Sequence, residues 1–134
     1  MKLIVCVDDQ GGVMFNRRRV SSDRRVVADI MDVVGDSQLF ISEYSAKLFS
    51  VAENISALKD FSAVGADDYV FLEDTLLPDS WAGISEVVVY HWNRLYPSDL
   101  RFPVDELRSL GKLMSVLDFK GNSHEKITRE VYTL

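Results

Sequence analysis

Five arginines fall within ten residues of this chain: Arg17, Arg18, Arg19, Arg24 and Arg25, interrupted only by the opposite charge of Asp23. Residues 16–25 therefore carry +4 (five cations, one carboxylate) in a protein of formal net charge −6, and the rest must sum to −10. A guanidinium presents a planar fork of donors that matches phosphate or carboxylate oxygens. Asn16 and Ser21 add neutral donors beside it. Asn16, Arg17, Arg18, Arg19 and Ser21 are accordingly the expected ligand contacts, with a small anion or a nucleotide as the expected ligand. The plainer alternative is a solvated basic face. Arg24 and Arg25 would open a helix, where the macrodipole disfavours cations. An anion on the free amides of that helix would remove the objection.

Other chemistry is thinly supported. The chain has two histidines, His91 and His124, and one cysteine, Cys6, with no local cluster of metal-ligand spacing, so no metal site is expected. Ser123 and His124 are adjacent, without the strained Gly-x-Ser-x-Gly turn that exposes a nucleophile, and Gly121-Asn122-Ser123-His124 reads as a hairpin turn. Asp8-Asp9 and Asp67-Asp68 could pair on a divalent ion, but carboxylates at strand ends are commonly just solvated. Trp81, Trp92 and Tyr96 are the contact residues a protein-interaction module would use.

The elements that would position these residues follow from the apolar pattern. Lys2–Val7 is an unbroken apolar run, the mark of a strand covered on both faces and so central in its sheet. The arginine-rich loop follows it, and in such sheets ligands collect beyond the carboxyl ends of strands. Val26, Val27, Ile30, Val33 and Val34 predict a helix over 23–34, capped by Ser21 or Ser22 and stopped at Gly35, with Asp29 facing out. Gln38–Ile41 and Asp67–Leu72 read as further buried strands. Ser42–Phe49 should open a short helix, and Leu76–Ala82 allows a helical turn or two. Residues 51–66 are ambiguous between a strand near 51–55 and a helical turn near 57–61. Val87–Tyr90 is the most strand-like run. Lys112–Phe119 and Glu125–Tyr132 form an expected antiparallel hairpin at a sheet edge. The fold class is thus α/β: one domain over 1–134, a mixed, mostly parallel sheet with flanking helices.

Composition sets the outer limits. With 47% apolar and 27% charged residues in 134, the chain should build one ordinary core. Net acidity argues against binding double-stranded nucleic acid. No apolar run approaches the ~20 residues of a membrane span, and no secretory signal is visible, so a cytoplasmic protein is expected. Cys6 sits in the first strand, where a small core residue is expected. Oligomers are allowed.

The order of elements resembles a shortened dihydrofolate reductase. The match lies in the first strand with its loop, in Asp23 at a helix start, and in Val87–Tyr90 followed by Asp99-Leu100-Arg101-Phe102-Pro103, similar to the family's Asp-x-x-Phe-Pro segment. The closing hairpin matches as well. The resemblance implies a pterin-binding role for Asp23, set against plain helix capping. It also implies a dinucleotide cofactor, but the sequence departs there. Where the family has a double glycine after one strand, this chain has Glu73-Asp74, which would repel pyrophosphate. Where it has Gly-Arg and a hydroxyl, this chain has Ser42-Glu43-Tyr44-Ser45. The expectation is therefore a reductase-like crevice with no cofactor and no nicotinamide reduction. A second possibility is altered chemistry there with Asp23, Glu43 or Tyr44 as acid or base. Short bacterial proteins that resemble this chain are sometimes labelled ribonuclease Z. The His-x-His-x-Asp-His zinc motif of that activity is missing here, so it is rejected.

Overall fold

The computed structural model describes residues 1–75 and 77–134. In chain order the elements are β1 (Lys2–Val7), β2 (Gly12–Phe15), β3 (Arg18–Arg19), α1 (Arg24–Val34), β4 (Leu39–Ile41) and β5 (Ile55–Ala57). Then come β6 (Tyr69–Leu72), β7 (Glu86–His91), β8 (Leu100–Arg101), α2 (Val104–Leu110), β9 (Lys112–Phe119) and β10 (Ile127–Thr133). Seven strands form one sheet in the order β5-β4-β6-β1-β7-β10-β9. As the uninterrupted apolar run requires, β1 lies in the middle, parallel to both β6 and β7. Among the described residues β10 is the one strand running opposite to the rest of this sheet, and the β9–β10 hairpin forms one edge.

Because side chains alternate across a strand, β1 feeds two cores. Leu3, Val5 and Val7 pack on the face covered by α2 through Val104 and Leu107. Ile4 packs on the face covered by α1 through Val26, Ile30 and Val34. Helices thus flank the sheet on both sides. The short α2 has no periodic stretch long enough to announce it; Pro103 precedes it and Asp105 and Glu106 fill its first turn, where carboxylates favour the dipole.

The local expectations need several corrections. Asp23, not Ser21 or Ser22, caps α1, with extended backbone and its side chain accepting from the Arg25 amide; the Ser21 hydroxyl is spent elsewhere. Asp29 is buried rather than outward, because β7 and β10 supply partners for it. Ser42–Phe49 makes only a 3-10 turn at Tyr44–Leu48. Within 51–66 the strand is Ile55–Ala57 and the turn Phe61–Ala63, both displaced toward the carboxyl end. Leu76 lies outside the described residues, and 77–82 are not helical.

The arginine-rich loop is itself a β-hairpin. Phe15 pairs with Arg18, and the two residues between them, Asn16 and Arg17, have φ of 50° and 63°. That is the mirror-image turn whose twist suits adjacent antiparallel strands. β8 pairs on the other side of β2 and completes a small second sheet over the carboxyl ends of the main one. No helix among the described residues is long and apolar enough to cross a membrane.

Candidate functional site

Two polar clusters stand beyond the carboxyl ends of the central strands, and the arginine-rich segment is divided between them. The first is the crevice under the β2–β3 hairpin. Its inner part, about 270 Å³, is lined among the described residues by Val5, Val13, Leu72, Leu77, Leu100 and Phe102, with Glu73 at its polar end. Glu73 is buried and ionised groups need partners there. Arg19 supplies a two-pronged one, Nε to Oε2 at 2.8 Å and Nη2 to Oε1 at 3.0 Å. The Ser45 hydroxyl donates to Oε1 at 2.9 Å. Arg19 also lies over the Tyr44 ring, and its amide donates to the Tyr44 hydroxyl at 2.9 Å. The pair with Glu73 raises the Arg19 pKa above its ordinary value, against burial, which lowers it.

Arg19 is therefore a clamp between hairpin and sheet. Replacing Glu73 by alanine should cost about 1–3 kcal/mol, since Arg19 is partly exposed and can turn to water. Urea denaturation checks this, and a loss below about 0.5 kcal/mol would show that the clamp contributes little.

The outer crevice carries Asn16, Arg17, Tyr44, Asp74 and Asp99 on one side of the hairpin. Arg18, Arg19, Glu43, Tyr44, Lys47 and Asp74 line the other. Among the described residues Arg17 and Arg18 have no ion-pair partner. Asp99 is held by the Asn16 amide at 2.9 Å and Asp74 by the Ser42 hydroxyl at 2.6 Å. Of the five expected anion contacts, the structure brings Asn16, Arg17 and Arg18 to the crevice rim and turns Arg19 inward. Ser21 lies apart from them.

Ser21 belongs to the second cluster, at the start of α1. There the turn between β9 and β10 folds over Asp23, whose carboxylate accepts five hydrogen bonds. Oδ1 takes the Arg25 and Asn122 amides at 2.8 Å each. Oδ2 takes the Ser123 amide at 2.8 Å, the Ser123 hydroxyl at 3.2 Å and His124 Nδ1 at 2.9 Å. A side chain at Gly121 would put its Cβ 2.6 Å from that oxygen, so only glycine lets the turn sit so close. Burial alone would raise the Asp23 carboxyl; the Asn122 and Ser123 amides, the His124 ring and the Arg25 amide together outweigh it and hold it far below the usual carboxylate range.

His124 is buried, stacked on Trp92 with ring centroids 4.7 Å apart. Its Nε2 lies 2.8 Å from Ser21 Oγ, and the Tyr96 hydroxyl is 3.4 Å from both atoms. The 121–124 segment is the hairpin turn the sequence indicates, yet its histidine meets a distant serine. Ser123 reaches only Nδ1, at 3.3 Å. Asp23 and His124 are 101 residues apart, so no local spacing could announce the pair. Of the three acid–base candidates, Glu43 and Tyr44 share the crevice, whereas Asp23 is fully engaged outside it.

The remaining carboxylate pairs do not meet. Asp8 follows β1 at its carboxyl end and is buried, accepting from the amides of Gln10, Gly12 and Tyr96. Asp67 and Asp68 precede β6, parallel to β1, and so lie at the opposite end of the sheet. Among the described residues no three His, Cys, Asp or Glu side chains are grouped to hold a metal.

No protein-family model matches the chain. No curated protein matches it either. Solved structures do: a dihydrofolate reductase from Enterococcus faecalis, complexed with NADP(H) and RAB-propyl, superposes with a TM-score of 0.69. The match covers 98% of this chain and 94% of that one at 9% sequence identity. The chain has the dihydrofolate reductase fold, with the mixed sheet and closing hairpin described above.

Proposed function

We propose that this chain is a binding domain on the dihydrofolate reductase fold, taking a small anionic ligand or nucleotide in the hairpin crevice without a working dinucleotide site. One observation carries the reading. The Arg19–Glu73 pair fills the end of β6 with side chains, where a pyrophosphate needs bare backbone and free amides. Outside that plug, Arg17, Arg18 and Lys47 share an open rim with Glu43, Tyr44, Asp74 and Asp99. An apolar slot lies beneath. A ligand with an apolar body and an anionic group fits this gradient from slot to rim.

Charge-assisted contacts to an anion contribute roughly 1.5–3 kcal/mol each. Losing Arg17 and Arg18 together should weaken binding about a hundredfold or more. The test is a thermal-shift screen over nucleotides and sugar phosphates, followed by calorimetry on the wild type and the Arg17→Ala/Arg18→Ala variant. NADPH should show no micromolar binding, and dihydrofolate no turnover. Micromolar NADPH affinity, or an anion bound equally well by the variant, would overturn the reading.

A further inference from the structure

We propose that Ser21, His124 and Asp23 form a serine acyl-transfer site, separate from the crevice, with Ser21 as nucleophile and an apolar acyl ester as substrate. Three features of the second cluster lead there. The first is the hydrogen-bond chain. With Asp23 Oδ2 accepting from Nδ1–H, the neutral ring presents the Nε2 lone pair to the Ser21 hydroxyl at 2.8 Å. That is the tautomer a general base needs. The second is rigidity graded by depth. Asp23 and His124 are buried and fixed, by four further donors and by Trp92 respectively, while Ser21 alone keeps partial access to solvent. A structural hydrogen-bond pin has no use for an exposed end, whereas a nucleophile does.

The third feature is Tyr96. Its hydroxyl stands 3.4 Å from Ser21 Oγ and can donate to negative charge developing beside it. The same residue lines an open surface groove with Phe15, Leu95 and Pro97. Phe15 and Leu95 are large side chains left exposed, so this groove, which also carries Gln10, Ser98, Asp99 and Arg101, offers an acyl chain an apolar strip joined to the serine through Tyr96.

The reaction balances without a further reagent. Ser21 Oγ attacks the carbonyl carbon of the ester and forms the acyl–oxygen bond as its proton passes to His124 Nε2. The carbon–oxygen bond to the alcohol breaks, and His124 returns the proton to the leaving alkoxide. Water then attacks the acyl-serine by the same route, releasing the carboxylic acid and restoring Ser21. Asp23 is a positioning residue here, since it bonds to His124, Ser123 and backbone amides and not to Ser21.

The intact protein is treated with a fluorophosphonate probe, with labelling located by peptide mass spectrometry, and assayed on p-nitrophenyl acetate and octanoate. Ser21 should be labelled, octanoate should be preferred, and Ser21→Ala should abolish labelling and lower ester cleavage by about a thousandfold. Ser22→Ala should change neither. Tyr96→Phe, which keeps the ring, should lower cleavage about tenfold or more. Since Ser21→Ala removes one partly exposed hydroxyl, circular dichroism should show it folded. No labelling of Ser21 in the wild type, or equal cleavage by folded Ser21→Ala, would overturn the proposal.

Discussion

Asp23→Ala should cost about 2–4 kcal/mol of folding stability, since hydrogen bonds to a charged group contribute roughly 1.5–3 kcal/mol and this carboxylate accepts five. The loss exceeds that of an ordinary cap because the carboxylate does two jobs. It caps α1 through the Arg25 amide, worth ~1 kcal/mol, and it ties down a turn about a hundred residues away through Asn122, Ser123 and His124. Without it the buried His124 ring loses its acceptor and the turn loses its tie to α1.

The pH dependence follows from the same contacts. The folded-state pKa of Asp23 lies below its unfolded value, so its contribution is fully present above about pH 4. That contribution is lost progressively as pH falls through the folded pKa. Urea denaturation of wild type and Asp23→Asn between pH 7 and pH 3 should therefore show curves that converge toward low pH. Parallel curves, or a loss under 1 kcal/mol for Asp23→Ala at pH 7, would contradict the network.

The other large effect is expected at Asp29. Its Oδ2 accepts from the Tyr90 hydroxyl and from Arg129 Nη1, at 2.7 Å each, and Arg25 stands 3.9 Å from Oδ1. Burial first, and then the hydrogen bond to Asp29, push the Tyr90 phenol well above its ordinary pKa, so it stays a neutral donor. Asp29→Ala leaves the buried Tyr90 hydroxyl without its acceptor and frees the Arg129 guanidinium, which is partly exposed and can turn to water, costing about 2–3 kcal/mol. Removing all three polar groups at once, as Asp29→Leu/Tyr90→Phe/Arg129→Met, should be nearly neutral, because apolar side chains of similar volume need no partners. Equilibrium urea unfolding of the two variants separates the cases. Equal destabilisation of both would mean that shape, not charge, dominates this contact.

The core strands were legible because their chemistry is local. Lys2–Val7, Tyr69–Leu72 and Val87–Tyr90 are apolar without interruption, which leaves few places in a sheet for them, and each is found buried there. The alternating tail likewise announced the edge hairpin. α2 escaped because seven residues hold barely two turns of pattern. The candidate sites were less legible, since each depends on pairs far apart in the chain. Arg19 looked free until Glu73, 54 residues on, claimed it. Asp29 looked outward because helical spacing cannot tell a solvated carboxylate from one whose partners arrive on another strand. His124 read as turn filler, and its neighbours within the turn gave no hint of Asp23.

The central place of β1 has a consequence for how the chain is made. Its two neighbours begin at Tyr69 and Glu86, so this apolar strand is synthesised before either partner and paired late. At ~5–20 residues per second on the ribosome, several seconds pass before both partners exist. Folding dominated by such distant pairings is slow for its size, because loop closure must precede any stabilising contact. In the interval a sticky strand lies open to other nascent chains.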